Sequence, residues 1–338
     1  MQYRLLGRTG VPLAQLALGT ANFGQRWGHG ADVAESAAIF NAYAEAGGNF
    51  IDTADVYQFG QSEEILGRLL AGRREEFFLA SKFTSGAVAN AGHLATGNSR
   101  RAMVASVEAS LKRLQTERID LYWVHHPDGR TPSEEIVRGL DDLARAGKIL
   151  YAGLSNFAAW RLARAATWAE LTRAVPIAAA QFEYSLVHRA PEADQLALCQ
   201  ALGIAPVTWS PLGGGMLTGK YRQGQAGRAE ALGGKVFQAE DSPQRSAVLD
   251  TVLAVAAELQ ASADQVAIAW VAQRGALPLI GPRSRAQLAS NLGAAALVLS
   301  PAQMDRLDAV SAPSARGSTP VVIAQDDQAV QPPALPVA

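Results

Sequence analysis

The chain has 338 residues and a formal net charge of -1 at pH 7, with 49% hydrophobic and 18% charged residues. This balance excludes a disordered chain and gives no reason to expect a nucleic acid or an anionic membrane as a partner. Cys199 is the only cysteine, which excludes an intrachain disulfide and a cysteine-based zinc site. The first ten residues lack the apolar core of a signal peptide, and no later run is long and uncharged enough to span a bilayer, so we expect a cytoplasmic protein.

Short apolar runs alternate with helical patterns along the chain, after a small hairpin expected between Leu5 and Val11. Eight buried strands are predicted, at residues 16–19, 50–52, 77–82, 120–125, 149–154, 177–181, 205–209 and 277–280. Helices are predicted between them, at residues 62–70, 103–114, 157–171, 191–202, 246–259, 264–273 and 284–292. Two further helices, one after Asp32 and one after Thr131, are indicated by their capping residues.

The helix after Asp32 has Glu35 three positions on, a capping-box arrangement, and the glycines at 47 and 48 end it. Its predicted apolar face consists of Val33, Ala37, Phe40 and Ala44. In the helix at 103–114, the predicted apolar stripe consists of Val104, Val107 and Leu111. The helix that ends at Gly147 is predicted to have Thr131 as N-cap, Pro132 as its first residue and Glu134 as its third.

Eight strand-then-helix units in a chain of this length favour an α/β fold, a closed (β/α)8 TIM barrel with the helices outside. A doubly wound sheet is the alternative, but the turn at 19–24 reads GTANFG and lacks the Gly-x-Gly-x-x-Gly phosphate-binding pattern. We expect the barrel domain to span residues 1–310. The tail, residues 311–338, is rich in Pro, Ala and Val, and we expect an irregular flap over the active site.

Polar residues gather at the carboxyl ends of the predicted strands, which is the end of such a barrel that holds active sites. They are Asp52, Lys82, His125, Ser155, Asn156, Gln181 and Trp209. Tyr57 follows Asp52 closely enough for a curled loop to bring the two side chains together. Each residue alone has an ordinary structural explanation, such as a turn-forming Asp or a core histidine, but chance explains the whole set poorly.

The charges in this set fit the reduction of a carbonyl group. A phenol such as that of Tyr57 is a weak acid at neutral pH, and the ammonium of Lys82 would make its proton easier to release. Asp52 would keep the lysine charged, and His125 would hydrogen-bond the oxygen that gains negative charge. A metal site built on the His-His pair at 125–126 is an alternative, and it is disfavoured because adjacent residues of a strand face opposite ways.

Five stretches of the sequence resemble the aldo-keto reductase family. They read FIDTADVY at 50–57, DLYWVH at 120–125, GLSNF at 153–157, QFEYSL at 181–186, and SPL through LTGKY at 210–221. The resemblance runs from about Tyr3 to Leu307, with the stretches in the family's order and spacing. It implies a barrel oxidoreductase that binds NADP(H) without a Rossmann fold and reduces a small-molecule aldehyde or ketone.

The resemblance also assigns roles to individual residues. It implies that Tyr57 is the general acid, aided by Asp52, Lys82 and His125. It implies that Ser155, Asn156 and Gln181 hold the nicotinamide carboxamide, that Trp209 stacks on the nicotinamide ring, and that the loop at 210–217 covers the pyrophosphate. The remaining implied cofactor contacts are Gly19, Thr20, Ser210, Pro211, Leu212, Gly214, Leu217, Lys220, Gly281, Arg283, Ser284, Gln287 and Asn291.

Phe23, Trp27 and His126 are the expected substrate contacts. The chain departs from the family's pattern at Ser290, where relatives often carry a Glu facing the adenine, and at His126, where many carry a larger aromatic residue. A second function stays open, a nicotinamide-binding sensor or subunit on the same barrel, although the complete set of four catalytic residues favours an enzyme. The segments expected to select the substrate, residues 84–100, 213–245 and the tail, contain no recognisable motif.

Overall fold

The computed structural model describes residues 1–224 and 238–313. The chain begins with an antiparallel hairpin, Tyr3–Leu5 (β1) and Pro12–Ala14 (β2). Eight parallel strands then close into a barrel: Ala17–Gly19 (β3), Phe50–Asp52 (β4), Phe78–Phe83 (β5), Ile119–Val124 (β6), Ile149–Ser155 (β7), Ile177–Glu183 (β8), Ala205–Trp209 (β9) and Leu277–Ile280 (β10). The predicted (β/α)8 barrel is therefore confirmed, and β9 pairs with β10, which pairs with β3.

Ten α-helices are present in the described ranges. They are Val33–Glu45 (α1), Gln61–Leu69 (α2), Arg100–Leu114 (α3), Ser133–Arg145 (α4), Ala159–Thr172 (α5), Gln195–Leu202 (α6), Pro243–Glu258 (α7), Ala263–Gln273 (α8), Arg285–Leu292 (α9) and Pro301–Ser311 (α10). None of them alone is long and apolar enough to cross a membrane, while α7 and α8 together, bent by 99°, pass that test on length and composition only. The helices surround the strands, and a large apolar cluster fills the layer between them.

A second apolar cluster fills the inside of the barrel, and the hairpin closes its amino-terminal end. Leu6 and Leu13 from the hairpin segment are fully buried and join interior side chains such as Phe50, Leu121 and Trp123. Burying these side chains keeps water out of the barrel from below. The polar residues at the opposite, carboxyl end therefore lie next to an apolar barrel interior that excludes water.

Several predicted helix details were wrong. In α1 the buried face is Ser36, Ile39, Phe40 and Tyr43, and Val33 is exposed, so the face lies about one residue from the predicted stripe. In α3 the buried residues include Met103, Val107 and Leu111, whereas Val104 is 44% exposed. In both helices the predicted period of the pattern was correct, and one edge of the buried face was misplaced.

The start of α4 also differs from the prediction. Pro132 has an extended backbone, with φ -61° and ψ 148°, so it is the N-cap and the helix begins at Ser133. Thr131 does not cap the helix, because its hydroxyl donates to Asp128 at 2.6 Å. Asp128 also accepts hydrogen bonds from the backbone of Asn98, Arg130 and Thr131, and these bonds lower its pKa although partial burial opposes the charge.

Two helices near the end of the barrel were misjudged or missed. The predicted helix at 191–202 is divided into a 3-10 turn, Ala190–Glu192, and α6, because the chain changes direction at Asp194. The helix α10 was missed, although Ser300 and Gln303 form a capping box with Pro301 at its first position. Helix α10 ends at Ser311, and the predicted flap over the active site falls on the tail, of which residues 314–338 lie outside the described part.

Gly153 allows close packing inside the barrel beside the polar end. It lies opposite Trp123 on the neighbouring strand, and a Cβ atom at Gly153 would be 2.3 Å from an indole carbon of that fully buried tryptophan. Gly153→Ala should therefore lower the free energy of unfolding by about 1–3 kcal/mol through overpacking, measured by urea denaturation. Gly10→Ala is the control, because nothing lies within 4 Å of its added Cβ. Equal stability of the Gly153→Ala variant and wild type would contradict this packing constraint.

Candidate active site

Four polar side chains converge at the carboxyl ends of three neighbouring strands. Asp52 ends β4, Lys82 lies near the end of the adjacent β5, and His125 directly follows β6. Tyr57 lies in a 3-10 turn, Tyr57–Gly60, to which the chain leads directly from β4. Because parallel neighbours end at the same edge of the barrel, side chains distant in sequence come within hydrogen-bond reach. The structure thus brings together the four residues predicted to be catalytic.

Lys82 is the centre of this cluster. Its Nζ donates to Oδ1 of Asp52, to the backbone oxygen of Thr53 at 2.9 Å and to the hydroxyl oxygen of Tyr57 at 3.1 Å. These three bonds use all the donors of an ammonium group whose side chain is fully buried. Burial opposes the charge on Lys82, but Asp52 and Tyr57 outweigh it and hold the pKa of the ammonium above its usual value. The lysine therefore stays charged at neutral pH.

The carboxylate of Asp52 is held on both sides. Its second oxygen, Oδ2, accepts a hydrogen bond from Nε2 of Gln181 on β8 at 3.0 Å. Burial raises the pKa of Asp52, and the contacts with Lys82 and Gln181 offset only part of that effect. Two protein donors thus replace the water that the buried carboxylate has lost. Gln181, predicted to hold the nicotinamide carboxamide, uses its amide nitrogen to hold Asp52.

His125 and His126 lie side by side at the top of β6. Their rings stack with centroids 4.3 Å apart and an interplanar angle of 15°. The expectation that they face opposite ways was wrong, because β6 ends at Val124 and neither histidine is part of the strand. Burial lowers the pKa of His125 well below its usual value and that of His126 to about 4, and the charge of Lys82 lowers both further. Both rings are therefore neutral at pH 7.

The side chain of Tyr57 lies between aromatic neighbours. The ring of His125 meets it edge-on at 5.9 Å, and Trp27 meets it edge-on from another direction at 6.1 Å. Lys82 Nζ lies 4.8 Å from the centre of the phenol ring. Trp27, a predicted substrate contact, thus borders the phenol ring. Phe23 does not, because it is fully buried in the apolar core.

Asn156 connects the histidines with Trp209. Its backbone has a positive φ of 61°, and its amide nitrogen donates to the backbone oxygen of His125 at 3.0 Å and lies 3.1 Å from Nδ1 of His126. Its amide oxygen accepts from the indole Nε1 of Trp209 at 3.0 Å. Ser155, fully buried, adds its hydroxyl oxygen at 3.0 Å from the same amide nitrogen. The residues predicted to surround the nicotinamide therefore form one connected network.

The loop after β9 has the form of a cradle for phosphate groups. Ser210 has a φ of 58°, and the three following glycines, Gly213–Gly215, have φ values of 54°, 63° and 92°. The Ser210 hydroxyl accepts from the backbone of Gly214 at 2.9 Å, which fixes the turn. A Cβ atom at Gly215 would lie 3.0 Å from Nζ of Lys220, so a side chain there would crowd the cation. Glycine keeps the backbone and the lysine within reach of the same ligand.

Lys220 and Arg283 form a positive pair beside this loop. Partial burial and the charge of Arg283 lower the pKa of Lys220. Within residues 1–224 and 238–313 no acidic side chain forms an ion pair with either cation. Two neighbouring cations without a carboxylate, next to a glycine turn, fit the phosphates of a dinucleotide such as NADP(H).

Four of the predicted cofactor contacts, Arg283, Ser284, Gln287 and Asn291, lie in α9 or directly before it. The Ser284 hydroxyl caps the helix by accepting from the backbone of Gln287 at 3.2 Å, and Gln287 Oε1 accepts from the backbone of Arg283 at 2.9 Å. Asn291 is 6% exposed and its amide donates to the buried Asp264 at 2.7 Å, so that nitrogen points into the fold. Ser290, where relatives often carry a Glu, lies 3.2 Å from the hydroxyl of Ser262 and joins α9 to α8.

Other predicted cofactor residues differ in how far they reach the site. Gly281 is exposed, and its backbone oxygen accepts from Asn22 at 2.8 Å. Thr20 is fully buried and donates to the backbone oxygen of Asp52 at 3.1 Å, and Leu217 is fully buried in the core. Gly19 ends β3, and Pro211 lies two residues after the end of β9, with Leu212 half-buried beside it. Thr20 and Leu217 therefore support the site from the buried side rather than lining its surface.

Sequence reasoning missed a second buried acid next to the site. Asp55 is 2% exposed, and its Oδ1 is buried without a hydrogen-bond partner. Burial and the nearby charge of Glu63 raise the pKa of Asp55 to about 8, although Arg113 opposes the shift. Glu63 itself is fully buried and accepts from Arg113 at 2.7 Å and Ser81 at 2.6 Å. The sequence signal that could have identified it is the position of Asp55 within the stretch 50–57, because a stretch with this many apolar residues is unusual for an exposed turn.

A metal centre finds no support in the described ranges, where no group of three or more His, Cys, Asp and Glu side chains could hold an ion. The two stacked histidines are neutral, and their neighbours are Asn156 and Tyr57 rather than carboxylates. The site instead places a phenol beside a buried ammonium, with the Tyr57 hydroxyl 3.1 Å from Lys82 Nζ. Three of its four central groups, Asp52, Lys82 and His125, are less than a tenth exposed.

Comparison with known proteins gives a consistent result. The model of the aldo/keto reductase family matches residues 15–312. An uncharacterized oxidoreductase, YrpG of Bacillus subtilis, is 35% identical over 95% of this chain and 98% of its own length. A probable voltage-gated potassium channel subunit beta of Oryza sativa is 34% identical over 92% of this chain and 96% of its own length. An aryl-alcohol dehydrogenase [NADP(+)] of Phanerodontia chrysosporium is 32% identical over 88% of this chain and 83% of its own length.

The buried pair of Asp52 and Lys82 gives a first prediction for this site. Asp52→Asn removes the counter-charge and leaves the buried ammonium of Lys82 unpaired, so it should lower the free energy of unfolding by about 3–5 kcal/mol. Adding Lys82→Met should restore most of this loss, since the double variant has no uncompensated charge. Urea denaturation of the four proteins in the cycle measures the coupling. The exposed pair of Arg306 and Glu258 is the control, with a coupling below about 1 kcal/mol. Additive effects of Asp52→Asn and Lys82→Met would contradict the assigned pairing.

The buried carboxyl group of Asp55 gives a prediction on pH. Between its usual 3.8 and about 8, Asp55 binds a proton in the native state and none in the unfolded state. The native state then binds more protons, so wild type loses stability as pH rises through this interval, by up to about 1.4 kcal/mol per unit. Asp55→Asn removes this dependence. The free energy of unfolding of the variant minus that of wild type should therefore increase with pH up to about pH 8 and stay constant above it. Denaturation curves at several pH values test this, and a difference that does not vary with pH would disprove it.

Proposed function

Because the chain belongs to the aldo/keto reductase family, we propose that it reduces an aldehyde or ketone to an alcohol with NADPH, and that Tyr57 is the general acid. The observation that carries this proposal is the contact of 3.1 Å between the buried Lys82 Nζ and the hydroxyl of the partly buried Tyr57. A buried ammonium next to a phenol has little use in stabilising a fold, because the ammonium loses its water. It has a clear use when the phenol must give up a proton.

The chemistry requires a hydride, which NADPH supplies when bound, and a proton, which the protein must supply. The Tyr57 hydroxyl gives its proton to the carbonyl oxygen as that oxygen gains negative charge. The phenol oxygen is left negative, and the ammonium of Lys82 stabilises it at 3.1 Å. Asp52, which Gln181 holds by a hydrogen bond, keeps the lysine in place, so the charges are arranged before the reaction begins.

His125 completes the site as a neutral donor. Its pKa lies well below the usual value, because burial and the charge of Lys82 both oppose an imidazolium. A neutral imidazole does not compete with Tyr57 for the role of proton donor. It can donate one hydrogen bond to the carbonyl oxygen and so orient the substrate beside Tyr57, whose ring meets that of His125 edge-on at 5.9 Å. We therefore assign His125 to orientation and Tyr57 to proton transfer.

NADPH rather than NADH is the proposed cofactor. The two differ by one 2′-phosphate, and the positive pair of Lys220 and Arg283 offers charge for it beside the capped start of α9. The printed name of the Phanerodontia chrysosporium relative gives NADP(+) as its cofactor, which supports the same choice. A cytoplasmic location stays a prediction from composition.

The alternative is a protein that binds the nicotinamide as a sensor or subunit, which the likeness to the Oryza sativa channel subunit beta favours. A sensor has no need of the buried proton-donating arrangement around Tyr57, so we rank the enzyme first. Loss of NADPH absorbance with a panel of aromatic aldehydes, diketones and sugar aldehydes separates the two. Cofactor binding without turnover of any member would favour the sensor.

Removing the phenolic hydroxyl tests the role of Tyr57. Tyr57→Phe should lower kcat by about 10²–10⁴-fold, because it deletes the proton donor and little apolar area. The dissociation constant of NADPH, from fluorescence titration, should stay within about twofold of wild type. Tyr3→Phe is the matched control, since Tyr3 also makes one hydrogen bond, to Gly47, but lies in the hairpin at the opposite end of the barrel. Wild-type turnover in Tyr57→Phe would show that another group donates the proton.

Removing the guanidinium of Arg283 tests the choice of cofactor. A charged hydrogen bond contributes about 1.5–3 kcal/mol, so Arg283→Ala should weaken NADPH binding by about one to two decades and leave NADH binding unchanged. Both dissociation constants are measured at one salt concentration. Arg285→Ala is the control, because Arg285 is exposed at the first residue of α9. Equal weakening of both cofactors would mean that Arg283 binds their shared part.

A further inference from the structure

The two residues directly after Tyr57 have an unusual backbone. Gln58 and Phe59 both lie in the left-handed region, with φ/ψ of 52°/34° and 53°/48°. Residues other than glycine rarely adopt this conformation, and it persists only where the surrounding structure holds it. The side chains of residues 57–59 all meet one segment, the loop of residues 21–31 between β3 and α1. The backbone thus directs three consecutive side chains to the same neighbour, which neither a regular strand nor a helix does.

Gln58 lies at the centre of this contact, and its side chain is fully buried. Nε2 donates to the backbone oxygens of Ala21 at 3.2 Å and His29 at 3.0 Å, and Oε1 accepts from the backbone nitrogen of Trp27 at 2.8 Å. The two oxygens can only accept and the nitrogen can only donate, so turning the amide over would break all three hydrogen bonds. One amide therefore connects three separate points of the loop.

The loop of residues 21–31 takes its shape from the segment that follows Tyr57. The backbone nitrogen of Ala31 donates to the oxygen of Asn22 at 2.7 Å, where the loop returns to its start. The middle of the loop is held from outside by two glutamines. Gln61 accepts from the backbone nitrogens of residues 25 and 26 at 2.9 and 3.1 Å, and Gln58 holds residues 27 and 29.

The indole of Trp27 is placed by the same turn. It meets the rings of Tyr57 at 6.1 Å and Phe59 at 6.3 Å, both edge-on, while Gln58 holds its backbone nitrogen. Tyr57 has a separate anchor in Lys82, whose Nζ lies 3.1 Å from the phenol hydroxyl. Loss of the Gln58 contacts should therefore release Trp27 and leave Tyr57 in place.

We propose that Gln58 is a positioning residue, which fixes Trp27 beside Tyr57 before a substrate binds and so gives the site one shape next to the phenol. This inference rests on the proposed reaction at Tyr57. The cost of two left-handed residues is offset by the hydrogen bonds of the buried amide. A loop that is already in place does not have to be ordered when a substrate binds, so substrate binding is tighter.

Two matched substitutions test this role. Gln58→Glu keeps the size of the side chain and the acceptor for Trp27, but places an oxygen where Nε2 donated to two backbone oxygens. Gln61→Glu adds the same charge at the same loop and keeps the acceptor for both of its contacts, so it is the control. Gln58→Gly is a milder variant, because it removes the amide and suits a φ of 52°, so it should fold even if Gln58→Glu does not.

The contact between Gln58 and the loop can be tested without cofactor or turnover. Hydrogen–deuterium exchange of residues 21–31 is measured by mass spectrometry. We expect exchange to be about 10-fold faster in both Gln58 variants and within about twofold of wild type in Gln61→Glu. Exchange at the wild-type rate in Gln58→Gly would overturn the inference and leave the proposed reaction intact.

Steady-state kinetics with 4-nitrobenzaldehyde and NADPH separates positioning from general support of the fold. We expect both Gln58 variants to raise KM by about 3- to 10-fold and to keep kcat within about threefold of wild type, because Trp27 is released and the proton donor stays on Lys82. A fall in kcat at unchanged KM would overturn the inference, because Gln58 would then act on Tyr57. Absence of turnover of any aldehyde by wild type would overturn the proposed reaction and this role of Gln58 with it.

Discussion

The buried ion pair between Lys82 and Asp52 is the constraint on which the rest of the site depends. Each charge is out of water, so each needs partners placed by the surrounding chain. Lys82 finds them in Asp52, Thr53 and Tyr57, and Asp52 finds a second donor in Gln181. The pair contributes little to stability, because desolvation offsets the Coulomb gain. Its effect is to hold one positive charge next to one phenol.

The barrel makes this arrangement possible in two ways. Its closed ring of parallel strands brings β4, β5 and β8 to a common edge, so partners far apart in sequence, such as Asp52 and Gln181, can meet. Its apolar interior, sealed below by the hairpin and filled by Trp123 against Gly153, keeps water away from the charges. A low local dielectric strengthens every interaction that remains.

Asn156 gives the site a second level of organisation. Its amide joins Trp209, at the expected nicotinamide position, to His125 and His126, at the expected substrate position. A change on either side of this amide changes the hydrogen bonds on the other, so cofactor and substrate contacts share one residue. Its positive φ of 61° is a strained conformation for a residue other than glycine, and such strain is common at functional sites.

The sequence by itself determined the fold and the identity of the central residues. Eight strand-then-helix periods predicted the barrel, and polar residues at strand ends predicted Asp52, Lys82 and His125, because side-chain periodicity and strand termini are local properties of the chain. The tertiary structure alone decided which groups touch. It placed Phe23 in the core, stacked His126 on the neighbouring histidine and buried Asp55 beside Glu63. These outcomes depend on the register between strands and on the packing of loops, and both are set by contacts between residues far apart in the sequence.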